Sequence, residues 1–190
     1  MLSNHDQNRI ITSLGADIGK MKVAASIYLT LEGVPFIYYG EEIGMIGGKP
    51  DEDIRLPFVW GNDDPMQTKW RESKYNSVVT PVTEQENDAD SLLTHYKRII
   101  RVRTKNPALY AGKFNPIESE NPSIVAYRME SDTQSAIILH NLAKSEQSIS
   151  SPDLSGYTLE FCQKKDGFSR DGNEVVIPPL STVIFVKDLN

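Results

Sequence analysis

The chain has 190 residues, 39% of them hydrophobic, which is enough for one large domain or two small ones with a packed core. Its formal net charge of −6 argues against nucleic acid and against an anionic membrane as partners, because both require a basic surface. A single cysteine, Cys162, excludes an internal disulfide framework and a thiolate zinc site.

The first 39 residues predict a polar loop, a helix and a buried strand. Residues 1–15 are irregular and polar, and apolar residues then recur at helical spacing from residue 17 or 19 to about residue 31. Gly33 suits the end of that helix, because glycine adopts a left-handed conformation without cost. The continuous apolar run Val34–Tyr39 is typical of a parallel strand buried on both faces. One such unit cannot bury its own surfaces and needs neighbours in a sheet or barrel.

A long loop and a second helix follow. Glycine and proline recur so often in residues 40–88 that no periodic pattern survives, and a loop of this length within a compact domain is usually functional. Residues 91–105 predict a helix with one broad apolar face. Acidic residues at 84–90 precede this helix, where they suit its positive N-terminal dipole.

From residue 107 onward the pattern changes to short strands. The clear strands are predicted at 123–129, 134–142 and 182–186, and weaker ones near 147–149, 159–161 and 175–177. Turn-forming residues separate them, which indicates an antiparallel all-β module. The sequence therefore predicts a domain boundary near residue 112. The most apolar window, residues 23–39, is too short and too interrupted to span a bilayer.

The tripeptide Asn4-His5-Asp6 is the first candidate site. It fits a turn in which Asn4 and Asp6 bond backbone amides, and it fits a histidine–carboxylate pair with a functional role. No serine or cysteine in a nucleophile setting accompanies it, so a hydrolase triad is not supported. His5, His95 and His140 are far apart and lack ligand spacing, so no metal site is predicted.

Two further candidates lie in and before the long loop. Glu41 and Glu42 follow the predicted strand, where barrels place functional groups and where acidic residues also cap turns. Asp51 and Arg55 are four residues apart, which fits a surface ion pair of little energetic value or a clamp on vicinal sugar hydroxyls. Aromatic side chains in the loop either stack on sugar rings or anchor the loop to a core: Phe58, Trp60, Trp70 and Tyr75.

Taken together, these segments resemble the α-amylase family of glycoside hydrolases. The segments that carry the resemblance are Leu2–Arg9 (end of the seventh barrel strand), Lys20–Glu32 (seventh helix), Gly33–Gly44 (eighth strand and its loop), Asp51–Trp60 (substrate loop) and Ser91–Lys105 (eighth helix). Within residues 2–60, order and spacing agree across three segments. The resemblance implies an α/β plus all-β fold. Residues 1–112 would form the terminal βα elements of a (β/α)8 TIM barrel, and residues 113–190 an antiparallel β-sandwich.

The resemblance also implies roles for individual residues. Asp6 would be the third catalytic carboxylate, a transition-state stabiliser that bonds sugar hydroxyls more strongly as positive charge develops on the ring. His5 would bind the same sugar, and Asp51 with Arg55 would bind a glucose further toward the non-reducing end. Arg9 would fix the loop and take no part in the chemistry.

The family's nucleophile and acid/base, about 5 Å apart in retaining enzymes, lie on earlier strands that no segment of this chain matches. We therefore expect the chain alone to be inactive. Its expected partners are the missing N-terminal barrel portion and an α-1,4-glucan or maltooligosaccharide substrate. No cofactor is expected in this chain, since calcium would belong to the full-length parent, whose ligands lie largely upstream.

Two alternatives remain open at the level of sequence. The chain could be a stand-alone, non-catalytic glucan-binding or scaffold protein that uses Asp51, Arg55 and the loop aromatics. It could also be a non-enzymatic relative of the family, such as a transporter-associated subunit, although the intact Asn4-His5-Asp6 makes that reading weaker. Cooperative unfolding as a monomer would favour the stand-alone protein, because the predicted barrel elements expose apolar surface that drives association.

Overall fold

The computed structural model describes residues 1–61, 63–71, 73–150 and 153–189. Two compact units divide the chain. The first joins Met1–Met21 to Pro35–Arg98, and the second joins Lys22–Val34 to Ile99–Asn190. The units interleave along the sequence, and the predicted domain boundary near residue 112 stays a prediction.

The helices of the chain precede its strands. They are α1 (Ile10–Ser13), α2 (Ile18–Thr30), α3 (Asp51–Ile54), α4 (Val82–Gln85), α5 (Leu92–Lys105) and α6 (Pro107–Ala111), with 3-10 turns at Glu41–Ile43 and Asn76–Val78. The predictions of α2 and α5 from helical spacing are confirmed. The long loop contains α3, α4 and both 3-10 turns. It surrounds a small core of the first unit formed by Ile43, Met45, Leu56, Val79, Val82 and Leu93.

The strand predicted at Val34–Tyr39 is absent, and that prediction is wrong. Val34 is 80% exposed and Phe36 is 66% exposed, so the run is not buried on either face. A strand exists through hydrogen bonds to a neighbouring strand, and no strand among the described residues pairs with this segment. Its apolar composition indicates a surface that needs a neighbour.

The second unit contains the predicted antiparallel β-sandwich. Its strands are β1 (Lys113–Ile117), β2 (Ile124–Glu130), β3 (Gln134–Asn141), β4 (Gln147–Ser150), β5 (Thr158–Cys162), β6 (Ser169–Asp171), β7 (Glu174–Ile177) and β8 (Ser181–Asp188). The order β1-β2-β3-β8-β5 forms one sheet and β4-β7-β6 forms the other, with antiparallel pairing throughout the described strands. Ile137, Leu139, Val175 and Phe185 belong to the core that both sheets share.

All eight residues of β3 are buried, because both faces of the larger sheet are covered within the second unit. The smaller sheet covers one face, and α6 packs on β2 and β3. A chain of hydrogen bonds runs from α2 into the sheet: Thr30 Oγ1 to Tyr127 Oη (2.5 Å), Tyr127 Oη to His140 Nε2 (2.9 Å) and His140 Nδ1 to Thr182 Oγ1 (2.8 Å). Complete burial lowers the pKa of His140 to about 3, so its ring is neutral near pH 7.

Arg103 of α5 caps the end of α2. Its guanidinium donates to the carbonyl oxygens of Leu29 (2.8 Å), Leu31 (3.0 Å) and Gly33 (2.6 Å). The contact with Leu29 satisfies a carbonyl group that the helix end leaves without a partner, and the other two hold the residues that follow the helix. In the described part of the chain, no helix has the length and apolar content needed to cross a membrane.

Candidate functional site

The segment Asn4-His5-Asp6 forms a turn, as one interpretation of the sequence expects. The amide of Asp6 donates to Asn4 Oδ1 at 2.8 Å. The Asp6 carboxylate points to other partners: Oδ1 lies 3.0 Å from Arg55 Nη2, and Oδ2 lies 3.2 Å from His5 Nε2. The turn and the histidine–carboxylate pair therefore coexist, because the amide of Asp6 makes the first contact and its carboxylate makes the second.

Arg55 brings the predicted site residues together. Its Nε donates to the carbonyl oxygen of His5 at 3.0 Å, and its Nη2 donates to both Asp6 Oδ1 (3.0 Å) and Asp51 Oδ2 (2.9 Å). Asp51 opens α3 and Arg55 directly follows that helix, so one turn of helix sets their spacing. His5, Asp6, Asp51 and Arg55 thus form one group, which we call the Asp6 cluster.

The Asp6 cluster is open to solvent, with the Asp6 side chain 62% exposed. A hydrogen bond from Lys49 is the main reason why the pKa of Asp51 lies below its usual value, and Arg55 adds to that effect. Exposed ion pairs of this kind contribute little to stability. The cluster instead presents ionised acceptors and guanidinium donors side by side, which suits the vicinal hydroxyls of a sugar.

Arg9 lies beneath this surface and is 1% exposed. Its Nε donates to the carbonyl oxygen of Ile54 at 3.0 Å, and its Nη1 donates to that of Tyr39 at 2.6 Å. The guanidinium also lies 4.8 Å from the ring centres of Tyr38 and Tyr39. Burial lowers the pKa of Arg9, while the neighbouring tyrosines and carboxylates oppose that shift.

The contacts of Arg9 connect the two halves of the Asp6 cluster. Arg9 follows Asp6 by three residues, and Ile54 directly precedes Arg55. One buried side chain therefore fixes the distance between the loop that carries Asp6 and the helix end that carries Arg55. Its structural position fits the expectation that Arg9 holds the loop.

Glu41 is buried and bonds to residues outside the Asp6 cluster. Its Oε1 accepts hydrogen bonds from Ser3 Oγ at 2.7 Å and from the amide of Tyr38 at 3.3 Å. Burial raises the pKa values of Glu41 and Glu42, and the hydrogen bonds to Glu41 oppose the shift. In this structure Glu41 fastens the chain start to the turn at Glu41–Ile43.

Within the described residues, no group of three or more histidine, cysteine, aspartate or glutamate side chains could hold a metal ion. Sequence reasoning missed the ion pair between Lys49 and Asp51. Only the position of a lysine two residues before the carboxylate could have indicated it.

Comparisons with known proteins agree across both units. Residues 1–112 match the model of the α-amylase catalytic domain, and residues 124–184 match that of the α-amylase SusG C-terminal domain. Among curated proteins, α-amylase 3 of Dictyoglomus thermophilum is 40% identical over 191 residues, covering 96% of this chain and 37% of that protein. A 4-α-glucanotransferase of Thermotoga neapolitana is 32% identical over 166 residues, covering 83% of this chain and 38% of that protein.

The solved structures show the same relationship. The α-amylase from H. orenii superposes with a TM-score of 0.87 at 41% identity, covering 98% of this chain and 39% of that one. The chain thus spans less than two fifths of the length of these three relatives. It belongs to the α-amylase family of glycoside hydrolases and corresponds to the family's C-terminal part, the end of the catalytic barrel followed by the β-sandwich.

Proposed function

We propose that the Asp6 cluster is the sugar-binding side of a glycoside hydrolase site that cleaves α-1,4-linked glucans with retention of configuration. The observation that carries the proposal is the convergence of His5, Asp6 and Asp51 on one guanidinium, that of Arg55. Family membership supplies the reaction class, and the names of the α-amylase relatives support an α-glucan as substrate.

In the proposed reaction, Asp6 acts through charge and hydrogen bonding. The sugar ring becomes positively charged in the transition state, and an ionised carboxylate on its hydroxyls then binds more strongly than in the ground state. Arg55 and His5 hold the carboxylate in one orientation. Asp51 and Arg55 then engage the next glucose toward the non-reducing end, which fixes the chain relative to the bond that breaks.

Cleavage of the bond itself requires two further carboxylates, a nucleophile and an acid/base. No segment of this chain matches either of them, so we expect both to come from barrel strands that the relatives carry outside the matched region. Water, rather than a second sugar, is the acceptor that we propose, in line with the α-amylase relatives.

The segment Val34–Tyr39 supports a partner of this kind. Val34 and Phe36 are among its exposed apolar side chains, and unpaired apolar surface of this type favours association. We propose that the N-terminal barrel portion covers this segment and pairs with it as a strand. The same exposure counts against a stand-alone scaffold protein.

The test is reconstitution. The chain is mixed with a separately made N-terminal barrel portion of a homologue, and starch hydrolysis is measured as reducing ends released. We expect activity only in the mixture, and loss of that activity with Asp6→Asn. Glu52→Gln, an exposed carboxylate change on α3 outside the cluster, is the matched control and should keep the activity. A mixture in which Asp6→Asn is as active as the unchanged chain would refute the role of Asp6.

A further inference from the structure

A second groove lies in the first unit, outside the Asp6 cluster. It has a volume of about 930 Å³ and is lined by residues of the 59–77 loop, among them Val59, Asp63, Gln67, Lys69 and Trp70. Ligand sites in proteins typically occupy ~300–1,000 Å³, so the groove is large enough for an oligosaccharide segment. We call it the Trp70 groove.

The indole of Trp70 is 55% exposed in this groove. The loop around it is held in place by Gln67, whose Oε1 accepts from the amide of Trp60 at 2.9 Å and whose Nε2 donates to the carbonyl oxygens of Phe58 and Thr68 at 3.1 Å each. A large aromatic face therefore stays in water on a hydrogen-bonded loop. Such a face suits the apolar side of a sugar ring, which buries indole area with little loss of side-chain freedom.

Charged side chains of both signs lie around Trp70. Arg71 pairs with Asp53 at 3.3 Å, and the ammonium of Lys74 lies 5.2 Å from the ring centre of Tyr75. Asp63 lines the same groove and adds a negative charge. Asp53 and Asp63 thus supply negative charge beside the cations Lys69, Arg71 and Lys74 of the groove, and these groups can bond hydroxyls.

The groove is separate from the Asp6 cluster, although α3 connects them. Asp51 of this helix pairs with Arg55, and Asp53 of the same helix pairs with Arg71, which follows Trp70. Residues two apart on a helix point to different sides. The groove therefore adjoins a different side of α3 from the one that carries Arg55.

We propose that the Trp70 groove is a second α-glucan-binding site, in which the indole stacks on a glucose ring while Asp63 and Lys69 bond its hydroxyls. The choice of an α-glucan as ligand rests on the proposed function. The site would hold a glucan chain next to the reaction site without contacting the bond that is cleaved.

Tryptophan fluorescence of the 190-residue chain, titrated with maltoheptaose, tests this site. We expect a saturable change. Because Trp70→Ala lacks the reporting indole, its affinity for maltoheptaose is measured by isothermal titration calorimetry, and we expect it to be weaker by about tenfold or more, the loss of ~1.4 kcal/mol. Trp60→Phe is the matched control, since that indole packs on Phe58 and does not line the groove; its variant should bind as the unchanged chain does. Because Trp70 is exposed, its removal should leave the unfolding temperature unchanged.

A double variant, Asp6→Asn with Arg55→Ala, separates the two sites. We expect the fluorescence titration to persist in this variant, because the groove does not depend on the cluster. Loss of the response in the double variant, an unchanged affinity in Trp70→Ala, or a response to inorganic phosphate in place of maltoheptaose would each overturn the inference. None of these results changes the outcome expected for reconstituted starch hydrolysis. That assay tests the role of Asp6 independently of the Trp70 groove.

Discussion

Single residues of the first unit divide into those that stabilise the site and those that face a ligand. Arg9 is buried with two backbone carbonyls as acceptors, whereas Arg55 makes its contacts in solvent. Loss of a buried donor leaves its acceptors without partners, and loss of an exposed ion pair leaves them hydrated. Both arginines bond to α3, Arg9 at Ile54 and Arg55 at Asp51. Replacing Arg9 should mainly lower stability, whereas replacing Arg55 should mainly lower activity.

Arg9→Ala should lower the free energy of unfolding by about 3 kcal/mol, because the carbonyl oxygens of Ile54 and Tyr39 lose their donor and the packing on two tyrosine rings is removed. Arg55→Ala should cost less than about 1 kcal/mol and still abolish reconstituted starch hydrolysis. Urea unfolding of both variants measures the first quantity. Equal losses of stability would show that the burial of Arg9 has no special role.

Glu41→Gln should change how stability depends on pH. Burial raises the pKa of Glu41 above 4.5, so the folded state binds a proton that the unfolded chain has released. The unchanged chain is then favoured at low pH and loses this contribution as the pH rises through the raised pKa. Glutamine carries no such proton, so the variant should lose less stability as the pH rises from 4.5 through the raised pKa.

Thermal unfolding of both proteins across that range measures the difference. Glu84→Gln, a change in an exposed glutamate of α4, serves as the control and should follow the unchanged chain. Parallel curves for the Glu41→Gln variant and the unchanged chain would mean that Glu41 is as hydrated in the folded state as in the unfolded one.

At the scale of elements, buried polar contacts hold the end of α2 within the second unit. Arg103 donates to three of its carbonyl oxygens, and Thr30 joins it to the buried pair Tyr127 and His140. The helix is thereby attached to β2 and β3 through polar contacts in an otherwise apolar layer. Fully satisfied buried polar groups of this kind fix one arrangement of the elements that carry them.

Tyr127→Phe should lower the free energy of unfolding by ~1–3 kcal/mol, since the ring is kept while Thr30 and His140 each lose a buried partner. Tyr110→Phe is the matched control, because that ring is exposed, and it should change stability by less than about 0.5 kcal/mol. Guanidinium unfolding followed by circular dichroism compares the two. Similar values for both variants would contradict the structural role of the hydrogen-bond chain.

At the scale of the whole molecule, the sequence predicted those elements that bury their apolar residues within the chain. The periodic apolar residues of α2 and α5 and the short apolar runs of β2, β3 and β8 identified their elements. β1 was missed because it is exposed and contains Pro116, which fits only an edge strand. β6, with three exposed residues, has no apolar pattern to detect.

The prediction of a strand at Val34–Tyr39 is wrong for a different reason. Apolar composition indicates that a segment needs partners, but the ladder that makes it a strand depends on which partners are present. The spacing of residues in the sequence likewise could not predict that the four residues of the Asp6 cluster lie together. Asp6 and Arg55 are 49 residues apart, and the buried contacts of Arg9 that bring them together appear only in three dimensions.

Phe36→Glu should disrupt association of the whole chain with an N-terminal barrel portion, because a charge would enter an apolar strand pairing. Sedimentation of the mixture should show the unchanged chain in a complex and the variant free. Met66→Glu, at an exposed apolar position outside this segment, should associate normally. Complex formation by the Phe36→Glu variant with undiminished affinity would exclude Val34–Tyr39 as the docking segment.

The most direct measurement is a crystal structure of the reconstituted complex, carrying Asp6→Asn to prevent cleavage, with a bound maltooligosaccharide. We predict that hydroxyl groups of one glucose lie within hydrogen-bond distance of residue 6 and of His5, and that Asp51 and Arg55 contact the next glucose toward the non-reducing end. A sugar bound elsewhere, with residue 6 facing bulk water, would contradict the account.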